Sequence, residues 1–133
     1  MKKSEKHSVI VVDDDNMMRE MLKFILRSED YPVIGEASNG QDAIALCARK
    51  KPDLVLLDIN MPKMDGLQAL EEIRKISPAT IVLMVSAEAT MDKVREAIKK
   101  GADGFVVKPL NSASVLDKIA MCLKRKGQQW QTI

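Results

Sequence analysis

Short apolar runs alternate along this chain with segments whose apolar residues recur every three or four positions. Five runs rich in β-branched and aliphatic residues are typical of strands buried in a parallel sheet: residues 9–12, 33–37, 54–57, 81–85 and 105–107. The segments that follow them have the periodicity of helices that bury one face. The run at residues 33–37 is the weakest, so we expect it near a sheet edge. Strand–helix alternation with short connections predicts an α/β fold, a doubly wound parallel sheet with right-handed crossovers.

The predicted helices begin and end at residues with known end preferences. The candidate caps are Asp15 or Asn16 for the first helix, Thr90 for the fourth, and Asn111 or Ser112 for the fifth. The apolar face expected of the first helix consists of Met18, Met21, Leu22, Ile25 and Leu26. Basic clusters at 49–51, 99–100 and 124–126 are expected where helices end, because positive charge complements the negative end of the helix dipole.

The length and composition favour one domain with an aliphatic core. The chain has 133 residues, of which 46% are hydrophobic, and no internal repeat or linker interrupts the pattern. We expect the folded domain over residues 8–124, between an N-terminal segment (residues 1–7) and a short C-terminal tail (residues 125–133) that contains Trp130. Cys47 and Cys122 lie in helical patterns without metal-ligand spacing, which predicts reduced thiols in a cytoplasmic protein.

Several classes of function are disfavoured. The net charge is only +2 and the chain has one Trp, one Tyr and two Phe, which predicts no direct nucleic-acid binding. No apolar stretch approaches the roughly 20 residues that span a bilayer, and no apolar signal region follows Met1, so we expect no membrane association. His7 is the only histidine, which excludes Cys/His zinc sites and histidine-based triads.

Charged residues directly follow three of the predicted strands. Asp13 and Asp14 follow the first, Asp58 the third, and Lys108 the fifth. The carboxyl ends of parallel strands meet at one edge of the sheet, where ligands bind. Unit charges 4 Å apart repel by roughly 4 kcal/mol at an effective dielectric of 20, so converging carboxylates need a counter-ion. Mg²⁺ prefers one or two carboxylates together with phosphate oxygens, and the pattern therefore predicts a divalent cation beside a phosphoryl group.

Asp58 is either a third metal ligand or a nucleophile, since a carboxylate can attack phosphorus and form an acyl phosphate. A transferring phosphoryl group needs positioning and counter-charge on its oxygens. The ammonium group of Lys108 and the hydroxyl of Ser86, at the end of the fourth strand, are candidates for that task. Taken singly, Lys108 is typical of a solvated surface residue and Ser86 of a turn cap; together they favour a phosphoryl site.

These residues stand in motifs by which the chain resembles the receiver domain of two-component response regulators, over about residues 9–123. The matching motifs are Val11-Val12-Asp13-Asp14, Asp58-Ile59-Asn60-Met61-Pro62, Met64-Asp65-Gly66, Ser86-Ala87 and Gly101-Ala102-Asp103-Gly104-Phe105-Val106-Val107-Lys108-Pro109. Each fragment is weak alone, but the ordered set is highly specific. The resemblance implies the flavodoxin-like receiver fold, a five-stranded sheet in the order 2-1-3-4-5 with five helices.

The resemblance also implies what the residues at this edge do. Asp58 is the implied phosphoacceptor, taking the group from a phosphohistidine on a sensor histidine kinase or phosphotransfer protein. The implied Mg²⁺ ligands are Asp13 or Asp14, Asp58 and the backbone carbonyl of Asn60. Ser86 and Lys108 are implied to engage the phosphoryl group. The peptide Lys108-Pro109 is usually cis in the family, an isomer that only about 5–6% of X–Pro bonds adopt.

A conformational switch is implied as well. On phosphorylation the hydroxyl of Ser86 is expected to move toward the phosphate, and the ring of Phe105 to turn inward. That change repacks the face made by the fourth helix, the fifth strand and the fifth helix, where a downstream protein binds. Asn60 and Glu88 occupy the positions that tune dephosphorylation in the family, and their types predict a short-lived phosphoryl state.

Four readings remain from the sequence. The chain is a stand-alone receiver of the CheY type, or it is cut from a larger regulator with a DNA-binding or enzymatic output domain. The run Gly101–Phe105 differs from the Ala-Asp-Asp-Tyr run of winged-helix regulators, which mildly favours the first. An aspartate-nucleophile phosphatase would carry an Asp-x-Asp pattern on the first strand, which this chain lacks. A flavin-binding module would carry a Ser/Thr/Gly-rich first loop, whereas the first loop here is acidic. We therefore expect a signalling domain, not an enzyme.

Overall fold

A computed structural model describes residues 7–131, with side chains up to residue 126, and contains five strands and five helices. In chain order the elements are β1 (Val9–Val12), α1 (Asn16–Ser28), β2 (Val33–Ala37), α2 (Gly40–Lys50), β3 (Leu54–Asp58), α3 (Gly66–Ile76), β4 (Ile81–Ser86), α4 (Met91–Lys99), β5 (Gly104–Val107) and α5 (Ser112–Gln131). Most of the predicted N-terminal segment, residues 1–6, and the side chain of Trp130 lie outside what is described. None of the helices in the described part combines the length and apolar character needed to cross a bilayer.

The strands form one sheet in the order β2-β1-β3-β4-β5, and every pairing is parallel. This arrangement confirms the predicted α/β fold, and β2 lies at an edge as its weak apolar run indicates. The central strands are in continuous register: Val9 to Val12 pair with Leu54 to Leu57, and Leu54 to Asp58 pair with Ile81 to Val85. The continuous register brings the last residues of these strands to the same height.

Each face of the sheet is covered by its own apolar cluster, because alternate strand residues point to opposite sides. On one face the clustered strand residues include Ile10, Val12, Val55, Leu57, Val82, Met84 and Phe105, packed against α2, α3 and α4. On the other they include Val9, Val11, Leu54, Leu56, Leu83, Val85 and Val106, packed against α1 and α5. The sheet core is thus buried on both sides, which explains why the strand runs are apolar without alternation.

The helix boundaries agree with some of the expected signals and differ from others. Asp15 caps α1 by accepting from Met17 N, and Thr90 caps α4 by accepting from Lys93 N. Met21, expected on the buried face of α1, is 45% exposed, because Leu22, Ile25 and Leu26 form the part of α1 that packs into the apolar cluster.

The fifth helix is longer than its apolar pattern indicates. It continues to Gln131 through residues assigned above to the C-terminal tail. The basic cluster at 124–126 was expected at a helix end and instead lies inside α5. Two of its members bind backbone oxygens of distant segments. Arg125 donates to the carbonyl oxygen of Asp103 at 3.0 Å, and Lys126 donates to the carbonyl oxygen of Ala79 at 3.4 Å. Long basic side chains can therefore belong to a helix interior when carbonyl groups lie within their reach.

The loop after β3 folds back tightly onto that strand. Gly66 N donates to the carbonyl of Ile59 at 2.7 Å, and Asp65 caps α3 in a reciprocal capping box with Gln68. A Cβ atom at Gly66 would lie 2.0 Å from the carbonyl oxygen of Asp58. Only glycine permits this approach, which places the start of α3 against the end of β3.

We expect Gly66→Ala to lower the free energy of unfolding by more than about 2 kcal/mol, because a backbone oxygen blocks the new methyl group. Gly40→Ala is the matched control, since Gly40 also opens a helix directly after its cap. Its nearest neighbours are atoms of Met64 at 3.0 Å, two of them in the side chain. That change is expected to cost less than about 1 kcal/mol. Urea unfolding measures both, and equal losses would contradict this account of the loop.

Candidate functional site

Three charged side chains meet at the carboxyl edge of the sheet. Asp13 follows β1, Asp58 ends β3 and Lys108 follows β5, so the edge residues of three strands converge. Lys108 Nζ lies 3.0 Å from Asp13 Oδ2 and 3.5 Å from Asp58 Oδ1. Asp13 is fully buried and Asp58 is only 4% exposed. One ammonium group is thus shared by two buried carboxylates, which leaves this part of the edge with an excess of negative charge.

Asp14 completes an acidic group with Asp13 and Asp58. Each of the three offers a carboxylate oxygen, and these atoms lie within 4.8 Å of one another. Asp14 is exposed whereas the other two are buried, so the group opens to solvent on one side. A donor set made only of carboxylate oxygens, with an open side for water, is the chemistry that a hard cation such as Mg²⁺ requires. The residues therefore fit the predicted metal.

The surroundings shift the pKa values of the two groups that face each other. Burial and the charge of Asp13 raise the pKa of Asp58 to about 6, although the charge of Lys108 opposes the change. Burial disfavours the ammonium form of Lys108, but the hydrogen bond to Asp13 and the charge of Asp58 outweigh it and raise the pKa of Lys108. Lys108 is therefore a permanent cation, and Asp58 is a carboxylate held in its charged form at a cost.

Ser86 closes the site at the end of β4. Its side chain is fully buried, and its hydroxyl oxygen accepts from Glu88 N at 3.1 Å. Lys108 N donates to the carbonyl of Ser86 at 2.9 Å, which joins the ends of β4 and β5. The hydroxyl proton of Ser86 is not used in the bond with Glu88, so it can be donated to an oxygen placed above Asp58.

Asn60 and Glu88, which the resemblance pairs by function, are also in contact. Asn60 Nδ2 donates to Glu88 Oε1 at 3.3 Å. The two residues come from the loops that follow β3 and β4, and both are exposed. Their hydrogen bond joins those two loops.

Phe105 lies in β5, three residues before Lys108. Its ring is 9% exposed and belongs to the apolar cluster under α2, α3 and α4. The peptide bond between Lys108 and Pro109 is cis. Among the residues whose side chains are described, α4, β5 and α5 carry four large exposed apolar side chains, namely Met91, Ile98, Val107 and Met121.

Sequence reasoning missed one residue that touches this site. Arg19, in the second turn of α1, donates from Nη1 to the carbonyl oxygen of Asp13 at 2.7 Å. The only signal in the sequence is a charged residue, Glu36, in the otherwise apolar second strand. Glu36 accepts from Arg19 Nε at 2.9 Å. Pairing of β1 with β2 makes this contact possible, and no sequence spacing indicates it.

The fold and the site together define a receiver of the CheY-like class. Residues 9–120 match the family described as the response regulator receiver domain, and the chain belongs to that family. Receivers of this class are signalling domains of two-component systems, not classical enzymes. They bind Mg²⁺ at an acidic pocket and interact with histidine kinases and downstream partners.

Individual relatives support the assignment. The chain is 43% identical over 116 residues to the chemotaxis protein CheY of Listeria monocytogenes, which covers 87% of this chain and 98% of that protein. It is 37% identical over 117 residues to the nitrate/nitrite response regulator protein NarL of Escherichia coli, covering 87% of this chain and 54% of NarL. A chain of the CheX–CheY–BeF3–Mg²⁺ complex from Borrelia burgdorferi matches with a TM-score of 0.85 at 35% identity, covering 87% of this chain and 88% of that one.

The raised pKa of Asp58 predicts how stability depends on pH when metal is removed by EDTA. The folded pKa of about 6 lies above the ordinary 3.8, so the contribution of Asp58 is fully present below about 3.8 and lost as pH rises through about 6. At pH 7 we expect Asp58→Asn to raise the free energy of unfolding by on the order of 2 kcal/mol, with the gain vanishing near pH 4. Asp117→Asn, at an exposed carboxylate of α5, is the control. Chemical unfolding across this pH range measures the difference, and a gain independent of pH would contradict the prediction.

Proposed function

We propose that Asp58 accepts a phosphoryl group from a phosphohistidine of a sensor histidine kinase or phosphotransfer protein. The observation that carries the proposal is the position of its carboxylate, buried at the end of β3 within 3.5 Å of the Lys108 ammonium. A carboxylate oxygen of Asp58 forms a bond to phosphorus while the bond from phosphorus to the histidine nitrogen breaks. The donor imidazole keeps the electron pair and takes a proton from solvent, so the chain gains only the phosphoryl group.

The side chains around Asp58 have separate tasks in this transfer. The Lys108 ammonium lies 3.5 Å from Asp58 Oδ1, close enough to bind an oxygen of a phosphoryl group formed there. The Ser86 hydroxyl donates its free proton to a second oxygen while keeping its bond to Glu88 N. Asp13, Asp14, Asp58 and the backbone carbonyl of Asn60 are the proposed ligands of Mg²⁺. When bound, Mg²⁺ supplies positive charge to the carboxylates and to the incoming phosphoryl oxygens.

We propose that occupancy of Asp58 is transmitted to the face of α4, β5 and α5. Ser86 ends β4 and is bonded to Lys108 at the end of β5, so a displacement of either residue changes the spacing of these two strand ends. Phe105 lies in β5 three residues before Lys108 and two before the exposed Val107, and its ring is the proposed moving element. Met91, Ile98, Val107 and Met121 supply an apolar surface to which a downstream protein docks.

We propose that the chain acts in the cytoplasm as a CheY-like regulator whose output is this docking. The coverage of 98% of the Listeria CheY supports that reading. The alternative is the receiver of a larger regulator with an output domain, and the match to about half of NarL supports it. The native protein's mass, measured in cells of the source organism, distinguishes the two. The proposed domain limits, residues 8–124, apply to either.

Incubation with acetyl phosphate and Mg²⁺ tests the acceptor. Intact-mass measurement is expected to detect one added phosphoryl group on the wild type and on Asp117→Asn, and none on Asp58→Asn. Omitting Mg²⁺ or adding EDTA is expected to slow labelling of the wild type strongly, because the carboxylates then repel the donor. Equal labelling of wild type and Asp58→Asn would rule out Asp58 as the acceptor.

The contact between Asn60 and Glu88 leads to a prediction for the lifetime of the phosphoryl group. Asn60 is uncharged and Glu88 is anionic, so neither residue places a cation over the phosphoryl oxygens, and water retains access to them. We expect the label on purified wild type to be lost within minutes after the donor is removed. Asn60→Lys is expected to prolong it several-fold by placing an ammonium beside those oxygens. A lifetime of hours for the wild type would contradict the assignment of these two positions.

A further inference from the structure

Arg19 is bonded to three separate parts of the chain. Its Nη1 donates to the backbone oxygen of Asp13 at 2.7 Å and its Nη2 to Oδ1 of Asn16 at 2.9 Å. Its Nε donates to Oε1 of Glu36 at 2.9 Å, and the side chain is only 15% exposed. A guanidinium is planar and presents its donors in a fixed geometry, so acceptors on three sides fix both its position and its orientation.

The oxygen that Arg19 binds belongs to the peptide that links Asp13 to Asp14. The remaining groups of Asp13 are held independently, since its N donates to Ala37 O at 3.1 Å and its Oδ1 accepts from Asp15 N at 2.9 Å. Asp14 is exposed, and the direction in which its side chain leaves the backbone follows from the orientation of this peptide. Arg19 therefore fixes the direction in which the second acidic residue leaves β1.

Glu36 keeps the guanidinium in place. Its second carboxylate oxygen, Oε2, lies 2.7 Å from Lys23 Nζ, so the carboxylate is held between two cations. The hydrogen bond from Lys23, joined by that from Arg19, holds the pKa of Glu36 below its usual value against the effect of burial. Glu36 thus stays ionised across the working pH range and anchors Arg19 to the edge strand β2.

We propose that Arg19 is a positioning residue of the metal site, which orients the Asp13–Asp14 peptide so that both carboxylates reach the same cation. The inference rests on the proposed function, because it takes Asp13 and Asp14 as ligands of Mg²⁺. The guanidinium fork is what matters, since Asp13 O and Glu36 lie on different sides of it. Lysine keeps the charge but places a single nitrogen at the end of a flexible stem, so it cannot bind both acceptors in the same geometry.

Arg19→Lys is the test variant, and Arg27→Lys is the matched control, the same change at an exposed arginine in the last turn of α1. Mg²⁺ affinity is measured by titration of the backbone amide signals of Asp13 and Asp14 in two-dimensional NMR. We expect Arg19→Lys to weaken Mg²⁺ binding about 10-fold, as residues that orient metal ligands commonly do, and Arg27→Lys to leave it unchanged. Unfolding in EDTA gives the stability of each variant without metal.

Labelling by acetyl phosphate over a range of Mg²⁺ concentrations separates positioning from a general structural defect. A positioning role predicts that Arg19→Lys needs more Mg²⁺ but reaches the wild-type rate at saturation. Wild-type Mg²⁺ affinity in Arg19→Lys would overturn the inference while leaving the proposed function intact. A reduced rate that saturating Mg²⁺ does not restore would also overturn it, since the defect would then lie elsewhere. Failure of the wild type itself to bind Mg²⁺ would overturn both.

Discussion

The ammonium group of Lys108, shared between the carboxylates of Asp13 and Asp58, is the interaction on which the site depends. Two buried carboxylates at the ends of adjacent strands would repel each other, and Lys108 at 3.0 and 3.5 Å offsets only part of that repulsion. Burial and the charge of Asp13 raise the pKa of Asp58, and the remaining excess of negative charge makes a further cation favourable.

This arrangement of charges is stable only because the backbone beneath it is rigid. The strand ends are fixed by continuous parallel pairing and by apolar clusters on both faces of the sheet. Gly66 allows the start of α3 to contact the carbonyl of Asp58, and Arg19 ties the turn after β1 to the edge strand. Because the core buries the residues just before each charged group, repulsion cannot be relieved by separating the strands.

The site and the proposed docking surface meet at β5, so they need no long path between them. Ser86 and Lys108 contact through the backbone at the ends of β4 and β5, while Val107 on β5 already faces solvent beside α4 and α5. Under the proposed function, a phosphoryl group on Asp58 would act on strand ends that lie next to this surface. Phe105 is buried in the same strand, and the proposed function makes its ring the moving element.

The sequence by itself determined the elements, the parallel sheet and the convergence of Asp13, Asp58 and Lys108, because apolar periodicity and strand-end charge are local features of the chain. It also indicated the cap Thr90 and, as one of two candidates, the cap Asp15, whose bonds span only a few residues. Only the tertiary structure decided that Met21 faces solvent, that α5 continues to Gln131, and that Arg19 binds the carbonyl of Asp13. These three features depend on which elements are neighbours in the fold. Burial and hydrogen bonding between distant segments produce no periodic pattern of residues along the sequence.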